Sequence, residues 1–192
     1  MANSNITKKA LAQSLKELGA MKILDKITVA DITDHCGVNR QTFYYHFNDK
    51  YELLNWIYTQ ELFIPLTKDL TFENWGEKLT ELFKYMKHQK KFFMNTIRSS
   101  NNFYAEYLEK VLVELFNKTI TDLEVSNNIE EKEQNVYSRF FAYGLTGVIV
   151  DWTLKGMKED ETEFSHMLQN MVFNTEKMGH ELYMYHKGKK TN

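Results

Sequence analysis

The chain has 192 residues and carries 24 Lys plus Arg against 26 Asp plus Glu, a formal charge of -2. This balance excludes a wholly basic protein that coats nucleic acid, and the apolar share of 43% excludes wholesale disorder. The chain holds only one proline and eight glycines. Because a β-sandwich or barrel needs turn residues at every corner and long helices need few, we predict an all-α fold.

Several kinds of site are excluded by missing residues. Cys36 is the single cysteine, so neither an internal disulfide nor a thiolate zinc cluster can form. The first seven residues are polar and contain no secretory signal, and the most apolar stretch, residues 140–150, is too short to span a bilayer. We therefore expect a cytoplasmic protein without membrane contact.

Three helices are predicted at the N-terminus. Apolar residues at steps of three and four indicate a first helix over residues 7–20, with Gly19 at its C-terminal stop. A second helix begins after Thr28, which can cap it. Gly37 then suits a left-handed turn, and Asn39 can cap a third helix over residues 40–47.

Two short helices joined by a glycine turn are typical of a helix-turn-helix, although an ordinary helical hairpin has the same spacing. The third helix favours the former. It places six hydrogen-bonding side chains in seven positions, and its plainly apolar residues, Phe43 and Phe47, are four apart and share a face. A helix this short and polar gains little from burial, so its outer face is available for a ligand.

The outer face has the chemistry to bind a DNA duplex. Arg40 can bind guanine and Gln41 adenine from the helix N-terminus, the end that enters the major groove. The alternative is a solvated face with half-packed tyrosines. The residues that we predict to contact DNA are Thr28, Asn39, Arg40, Gln41, Thr42, Tyr44, Tyr45, His46 and Lys50.

The charge is unevenly divided along the chain. Residues 1–50 carry seven basic and five acidic residues, a charge of +2, and the remainder carries -4. We predict a DNA-binding domain over residues 1–50 and a helical regulatory and dimerisation domain over residues 51–192. Because the excess in the first domain is small, we expect two copies to be needed for tight binding.

The sequence Thr-Val-Ala-Asp-Ile at residues 28–32, followed by Gly-Val-Asn-Arg-Gln-Thr-Phe-Tyr-Tyr-His-Phe-Asn-Asp-Lys at residues 37–50, resembles the TetR family of transcription regulators. The likeness covers about residues 6–55. It implies a helix-turn-helix fold in which Thr42, Tyr44, Tyr45, His46 and Lys50 contact phosphates or bases. Asn39 stands where the family often has serine, and both can cap a helix.

The run at residues 44–54 and Trp56 resemble one branch, the regulators of dihydroxyacetone kinase operons (DhaS type). This resemblance implies an activator that works with a co-activator protein related to dihydroxyacetone kinase. The alternative is a TetR-type repressor that leaves its operator when a small apolar ligand binds the C-terminal domain.

Six further helices are predicted, which makes about nine in all. The first ends before Pro65, since proline disfavours a helical residue ahead of it. Their predicted ranges are residues 50–64, 74–89, 90–98, 104–123, 131–157 and 162–185.

The last two helices are apolar on more than one face, so they must be buried on more than one face. Two such pairs from two subunits would form a four-helix dimer interface, and the alternative is a monomer with a thick core. The predicted interface residues are Phe140, Gly144, Gly147, Val148, Trp152, Phe164, Met167 and Met171.

Aromatic and methionine residues of the C-terminal part could line a ligand pocket, although at helical spacing they are more often plain core. They are Tyr85, Met86, Phe92, Phe93, Met94, Tyr104, Tyr107, Phe116, Tyr137 and Tyr143. An enzyme is disfavoured because no two histidines stand four apart and the neighbours Asp34, His35 and Cys36 point apart on a helix. We expect no catalytic residue, metal or cofactor.

Overall fold

The computed structural model describes residues 2–99, 102–122 and 130–174, which form helices and their connections and contain no β-strand. The prediction of an all-α fold is confirmed. The helices are α1 Ala2–Met21, α2 Val29–Cys36, α3 Arg40–His46, α4 Lys50–Tyr58, α5 Ile64–Thr67, α6 Trp75–His88, α7 Lys90–Thr96, α8 Phe103–Asp122, α9 Glu131–Leu154 and α10, described over residues 161–174. The predicted continuation of the last helix to residue 185 lies outside the described residues.

The first helix begins at Ala2, earlier than the predicted start at residue 7. Its buried face contains Leu11, Leu15 and Leu18, as the spacing predicts. Ile6, which belongs to the same periodic pattern, is 64% exposed. The first turns of α1 therefore extend beyond the hydrophobic core.

Gly19 does not end α1, as we predicted, but lies inside it. A Cβ atom at this position would lie 2.8 Å from Cδ2 of Phe92 on α7, closer than such atoms approach. The side-chain amide of Asn95, also on α7, donates to the carbonyl oxygen of Gly19 at 2.9 Å. The glycine is therefore explained by the close packing of α1 against α7.

The prediction that a helix ends before Pro65 is wrong. A π-helical turn, Thr59–Phe63, joins α4 directly to α5, and Pro65 lies in the first turn of α5. The N–H of Ile64 donates to the carbonyl of Thr59, five residues back. Because proline has no N–H and its ring clashes within a regular helix, it is best tolerated in a first turn, and the change of register provides one.

The C-terminal helices form the larger part of the core. Helices α6 and α8 each bury one face, and α8 packs along α9. Buried residues run without interruption from α1 to α10, so the N- and C-terminal parts share one hydrophobic core. Buried residues on these two faces include Leu79, Leu82, Phe83, Met86, Leu108, Val111, Leu112, Leu115 and Phe116.

A polar contact places α10 on α6. The hydroxyl of Ser165 donates to the carbonyl oxygen of Gly76 at 2.7 Å, and a Cβ atom at Gly76 would collide with the Gln169 side chain. Among the residues for which a structure is described, no helix is both long and apolar enough to cross a membrane.

Candidate DNA-binding surface

Two local caps fix α2 as predicted. The hydroxyl of Thr28 accepts from the N–H of Asp31 at 3.1 Å, and the carboxylate of Asp31 accepts from the N–H of Thr28 at 2.9 Å. These hydrogen bonds, together with Lys22 at 3.1 Å, hold the pKa of Asp31 below its usual range. Thr28 itself is exposed at the N-terminus of α2.

The turn into α3 has the predicted geometry. Gly37 adopts φ 72° and ψ 26°, the left-handed conformation that glycine takes without a steric penalty. The Asn39 side-chain oxygen accepts from the N–H of Thr42 at 2.8 Å and from its hydroxyl at 2.9 Å. The NH2 group of Asn39 is therefore the part of this side chain that can donate to a phosphate, and Thr42 keeps its methyl group and the lone pairs of its hydroxyl oxygen for contact with a base.

Helix α3 is divided into a buried and an exposed face. Phe43 and Phe47 are 0% and 3% exposed, and the two rings lie 6.0 Å apart. On the outer face, Tyr44 is 57% and Tyr45 81% exposed, and the ring of His46 lies edge-on to Tyr45. Arg40 and Gln41 are exposed at the N-terminal end of the helix. The projecting side chains are thus those with the predicted DNA chemistry.

The starts of α2 and α3 form one concave surface. Thr28, Arg40 and Tyr44 line the same cleft of about 380 Å³. A hydroxyl donor at a helix N-terminus, a guanidinium and a phenol are all suited to a phosphate oxygen. The structure therefore brings together residues that are up to 16 positions apart in the sequence.

Lys50 is placed differently from the prediction. Its ammonium donates to the carbonyl oxygens of Leu24, Asp25 and Ile27 at 2.9, 3.2 and 2.8 Å. An ammonium has three protons, and these contacts use all of them. The phosphate contact stays a prediction, and it would have to take protons from these three carbonyl oxygens.

The predicted dimer residues fall into two groups. Trp152 and Phe164 are 3% and 6% exposed, and their rings stack 4.7 Å apart inside the protomer. They belong to the protomer core and their prediction as interface residues is corrected. Phe140, Val148, Met167 and Met171 are between 40% and 71% exposed, and a Cβ atom at Gly144 or Gly147 would meet nothing within 4 Å.

Half of the ten residues considered for a ligand pocket are buried core residues, whereas Tyr137 and Tyr143 are 48% and 50% exposed. The rings of Phe92 and Phe93 lie 5.2 Å apart, and Tyr104 and Met86 are joined by a hydrogen bond of 3.3 Å. All four of these side chains are buried. A small cleft of about 190 Å³ lies beside the π-helical turn, and five apolar or aromatic and three charged residues line it: Leu62, Pro65, Leu66, Leu82, Tyr85, Glu61, Lys78 and Glu81.

A contact between α1 and the C-terminal part of the molecule was missed from the sequence. Lys16 on α1 donates to the carboxylate of Glu61 in the π-helical turn at 2.8 Å, and Glu61 accepts a short hydrogen bond from Tyr85 on α6. Burial and the neighbouring Glu61 carboxylate raise the pKa of Tyr85. The two residues of each pair are at least 24 positions apart, so no local sequence pattern predicts these contacts.

The neighbouring residues Asp34, His35 and Cys36 do not form a catalytic group. The Nε2 atom of His35 lies 3.5 Å from the Glu17 carboxylate, and the thiol of Cys36 donates to the Thr33 carbonyl. Over the described residues, no group of three side chains could hold a metal ion.

The chain belongs to the TetR family of bacterial transcription regulators. Residues 24–57 match the family described as bacterial regulatory proteins of the tetR family, and residues 73–174 match a transcriptional regulator C-terminal region. The first match covers α2 and α3, and the second begins just before α6. The protein is therefore a DNA-binding transcription regulator rather than an enzyme.

One curated relative is the HTH-type dhaKLM operon transcriptional activator DhaS of Lactococcus lactis subsp. lactis strain IL1403. It is 25% identical over 158 residues, which cover 81% of this chain and 84% of the relative. The structure of a dihydroxyacetone kinase operon activator DhaS has a TM-score of 0.68 at 22% identity, covering 90% of this chain and 97% of that one. NalD of Pseudomonas aeruginosa, a secondary repressor of a multidrug efflux pump, has a TM-score of 0.65 at 18% identity, covering 90% and 96%.

Proposed function

We propose that this protein is a homodimeric activator of a dihydroxyacetone kinase operon that works with a kinase-like co-activator protein. The observation that carries the proposal is the match to the Lactococcus activator over most of both chains. The buried ring of Tyr58, which contacts Phe92, Phe93 and Tyr104, adds support, because a closely packed core favours an effector that docks outside it.

On DNA, the outer face of α3 enters the major groove of the operator. Arg40 and Gln41 contact base edges from the N-terminal end, where both are exposed. The methyl group of Thr42 contacts a thymine methyl, because the hydroxyl proton of Thr42 is donated to the Asn39 side chain. The side chains that donate to phosphates are Thr28, Asn39, Tyr44, Tyr45 and His46.

The dimer forms through the exposed apolar surface of α9 and α10. Phe140 and Val148 on α9 flank the open positions of Gly144 and Gly147, where a partner helix can approach closely. A two-fold dimer then presents two copies of α3 to half-sites roughly 34–36 Å apart or a multiple of that.

Regulation proceeds by a shift between two separations of the DNA-binding parts. The packing of Gly19 against Phe92 and the contact of Lys16 with Glu61 connect α1 to the effector-binding half. A partner that binds this half can therefore favour the separation that fits the operator.

An alternative is a repressor that a small apolar ligand releases from the operator. The cleft beside Tyr85 favours this function through its apolar residues, although its volume of about 190 Å³ is below the roughly 300–1,000 Å³ of common ligand sites. The structural likeness to the repressor NalD shows a shared fold and does not decide between the two functions.

A gel shift with four samples separates the alternatives. The protein is mixed with operator DNA alone, with dihydroxyacetone, with the kinase-like partner, and with both. We expect the partner with dihydroxyacetone to form a larger complex on DNA and to raise transcription in vitro. Release of the DNA by a small molecule alone would instead support the repressor.

Tyr44→Phe tests the proposed DNA surface itself. Loss of one neutral hydrogen bond to a phosphate should weaken binding to operator and unrelated DNA by the same factor, about two- to twelvefold. Tyr51→Phe is the matched control, because it removes a hydroxyl that faces Asp25 at 3.5 Å instead of the outer face of α3. Equal effects of the two variants would remove Tyr44 from the proposed contacts.

A further inference from the structure

The ammonium of Lys50 is bound by the connection between α1 and α2. Its three acceptors, the carbonyls of Leu24, Asp25 and Ile27, belong to one 3-10 turn and the residue that follows it. The carbonyl ends of such a turn carry partial negative charge, which favours a cation at this point. The contact crosses from the start of α4 to a segment 23 to 26 positions earlier.

The lysine is held on a rigid support. The carboxylate of Asp49 accepts from the N–H groups of Tyr51 and Glu52, both at 2.8 Å. Glu52 in turn accepts from the main-chain N–H and the side-chain amide of Asn48, both at 2.7 Å. The first turn of α4, from which the Lys50 side chain extends, is thus capped twice.

The segment held by Lys50 leads directly into the DNA-binding surface. Leu24 and Ile27 are fully buried, and Thr28 follows Ile27 as the cap of α2. Thr28 lines the cleft that it shares with Arg40 and Tyr44. The position of the Ile27 carbonyl therefore determines where the N-terminus of α2 lies relative to α3.

We propose that Lys50 is a positioning residue of the DNA-binding surface: it ties the α1–α2 connection to α4 and so places Thr28 beside Arg40. It does not contact a phosphate, because a phosphate contact would take protons away from the three carbonyl oxygens. The expected effect on DNA binding rests on the proposed DNA surface, whereas the hydrogen bonds of Lys50 to the three carbonyls do not depend on that surface.

The test compares Lys50→Met with Lys26→Met. Both variants lose one positive charge from the same region, but Lys26 is an exposed side chain of the 3-10 turn. Operator binding is measured over a series of salt concentrations, well below the unfolding temperature of each variant. Amide hydrogen exchange is followed in residues 24–31.

We expect Lys50→Met to exchange faster in residues 24–31 and to bind operator more weakly. If one molecule in ten keeps the binding geometry, the Kd rises about tenfold. The slope of log K against log salt should match that of Lys26→Met. A slope flatter than that of Lys26→Met by about 0.9 would reveal a direct phosphate contact and overturn the proposal.

An unchanged operator Kd in Lys50→Met, with lowered thermal stability, would also overturn the proposal, since the role would then be stability alone. A readout on the wild-type protein covers the case in which Lys50→Met does not fold. Acetylation followed by mass spectrometry should modify Lys50 far more slowly than Lys26, with and without DNA.

Rapid acetylation of Lys50 in the free protein, with protection only on operator DNA, would overturn the lysine contacts. A wild-type protein that binds no DNA would instead refute the proposed function, and slow acetylation of Lys50 would still be expected. The two failures are therefore distinguishable.

Discussion

Truncation of Phe140 to alanine should dissociate the proposed dimer and leave the protomer folded. The side chain is 71% exposed and contacts Phe141 at a ring distance of 5.7 Å, so it contributes little to the protomer core. With a phenylalanine surface of about 200 Å², about 140 Å² per protomer is free for burial in a dimer.

At 25 cal/mol per Å², complete burial of this surface would contribute about 3.5 kcal/mol per protomer, or about 7 kcal/mol for the two copies of a symmetric dimer. This is an upper limit, because alanine keeps part of the contact and interfaces are not perfectly packed. A well-packed aromatic residue at the centre of an interface is typically worth at least 2 kcal/mol, so the dimer Kd should rise by at least about 30-fold.

Sedimentation equilibrium over a range of protein concentrations measures this change. Ile64→Ala is the matched control, since Ile64 is 48% exposed on α5 and outside the surface of α9 and α10. Operator binding by Phe140→Ala should recover at high protein concentration by mass action. A variant with the dimer Kd of the wild type, or a wild type that stays monomeric, would refute the interface.

Three further changes have defined outcomes. Gln41→Ala should relax the preference at one base position by about 1–3 kcal/mol, seen by binding to a set of single-base operator variants. Gly19→Ala should lower the free energy of unfolding by about 1–2 kcal/mol in urea, because overpacking against Phe92 outweighs the gain in helix propensity. Burial raises the pKa values of Tyr58 and Tyr104. The stability that these tyrosines contribute is therefore present below about pH 10, the pKa of an unfolded tyrosine. As the pH rises above about 10, the free energy of unfolding should fall by up to about 1.4 kcal/mol per pH unit for each tyrosine.

Each of these outcomes has a control. An unchanged sequence preference would remove Gln41 from the base contacts. In the monomeric Phe140→Ala background, Gly144→Ala, with nothing within 4 Å of the new Cβ atom, should not lower the free energy of unfolding, so an equal loss at both glycines there would refute the steric explanation for Gly19. Tyr58→Phe should halve the alkaline slope that Tyr58 and Tyr104 produce, and an undiminished slope would contradict the assignment.

The caps of the DNA-binding part were predictable because each one joins residues close together in the chain. Thr28 and Asp31 are three positions apart, as are Asn39 and Thr42, and Gly37 needs only its own left-handed conformation. Such contacts form whenever the local helix forms, whatever surrounds it. Their prediction therefore required no knowledge of the tertiary structure.

The dimer residues were only partly predictable, since α9 is apolar on more than one side. Trp152 and Phe140 look alike in the sequence, yet one stacks on Phe164 in the core and the other is 71% exposed. Helical periodicity defines the faces of α9, but the packing of α8 and α10 determines which face is covered. The same limit applies to Pro65, whose effect depends on the π-helical turn before it.

The sequence by itself determined the all-α class, the helix-turn-helix and the polar outer face of α3, because these follow from composition, local caps and helical period. Only the tertiary structure decided that Lys50 binds three carbonyls and that Lys16 reaches Glu61. A lysine side chain can donate to a DNA phosphate or to a carbonyl oxygen of the protein, and which of these it binds depends on the acceptors that the fold brings within about 3 Å. These acceptors come from segments that are distant in the chain, and helical periodicity does not show which distant segments come together.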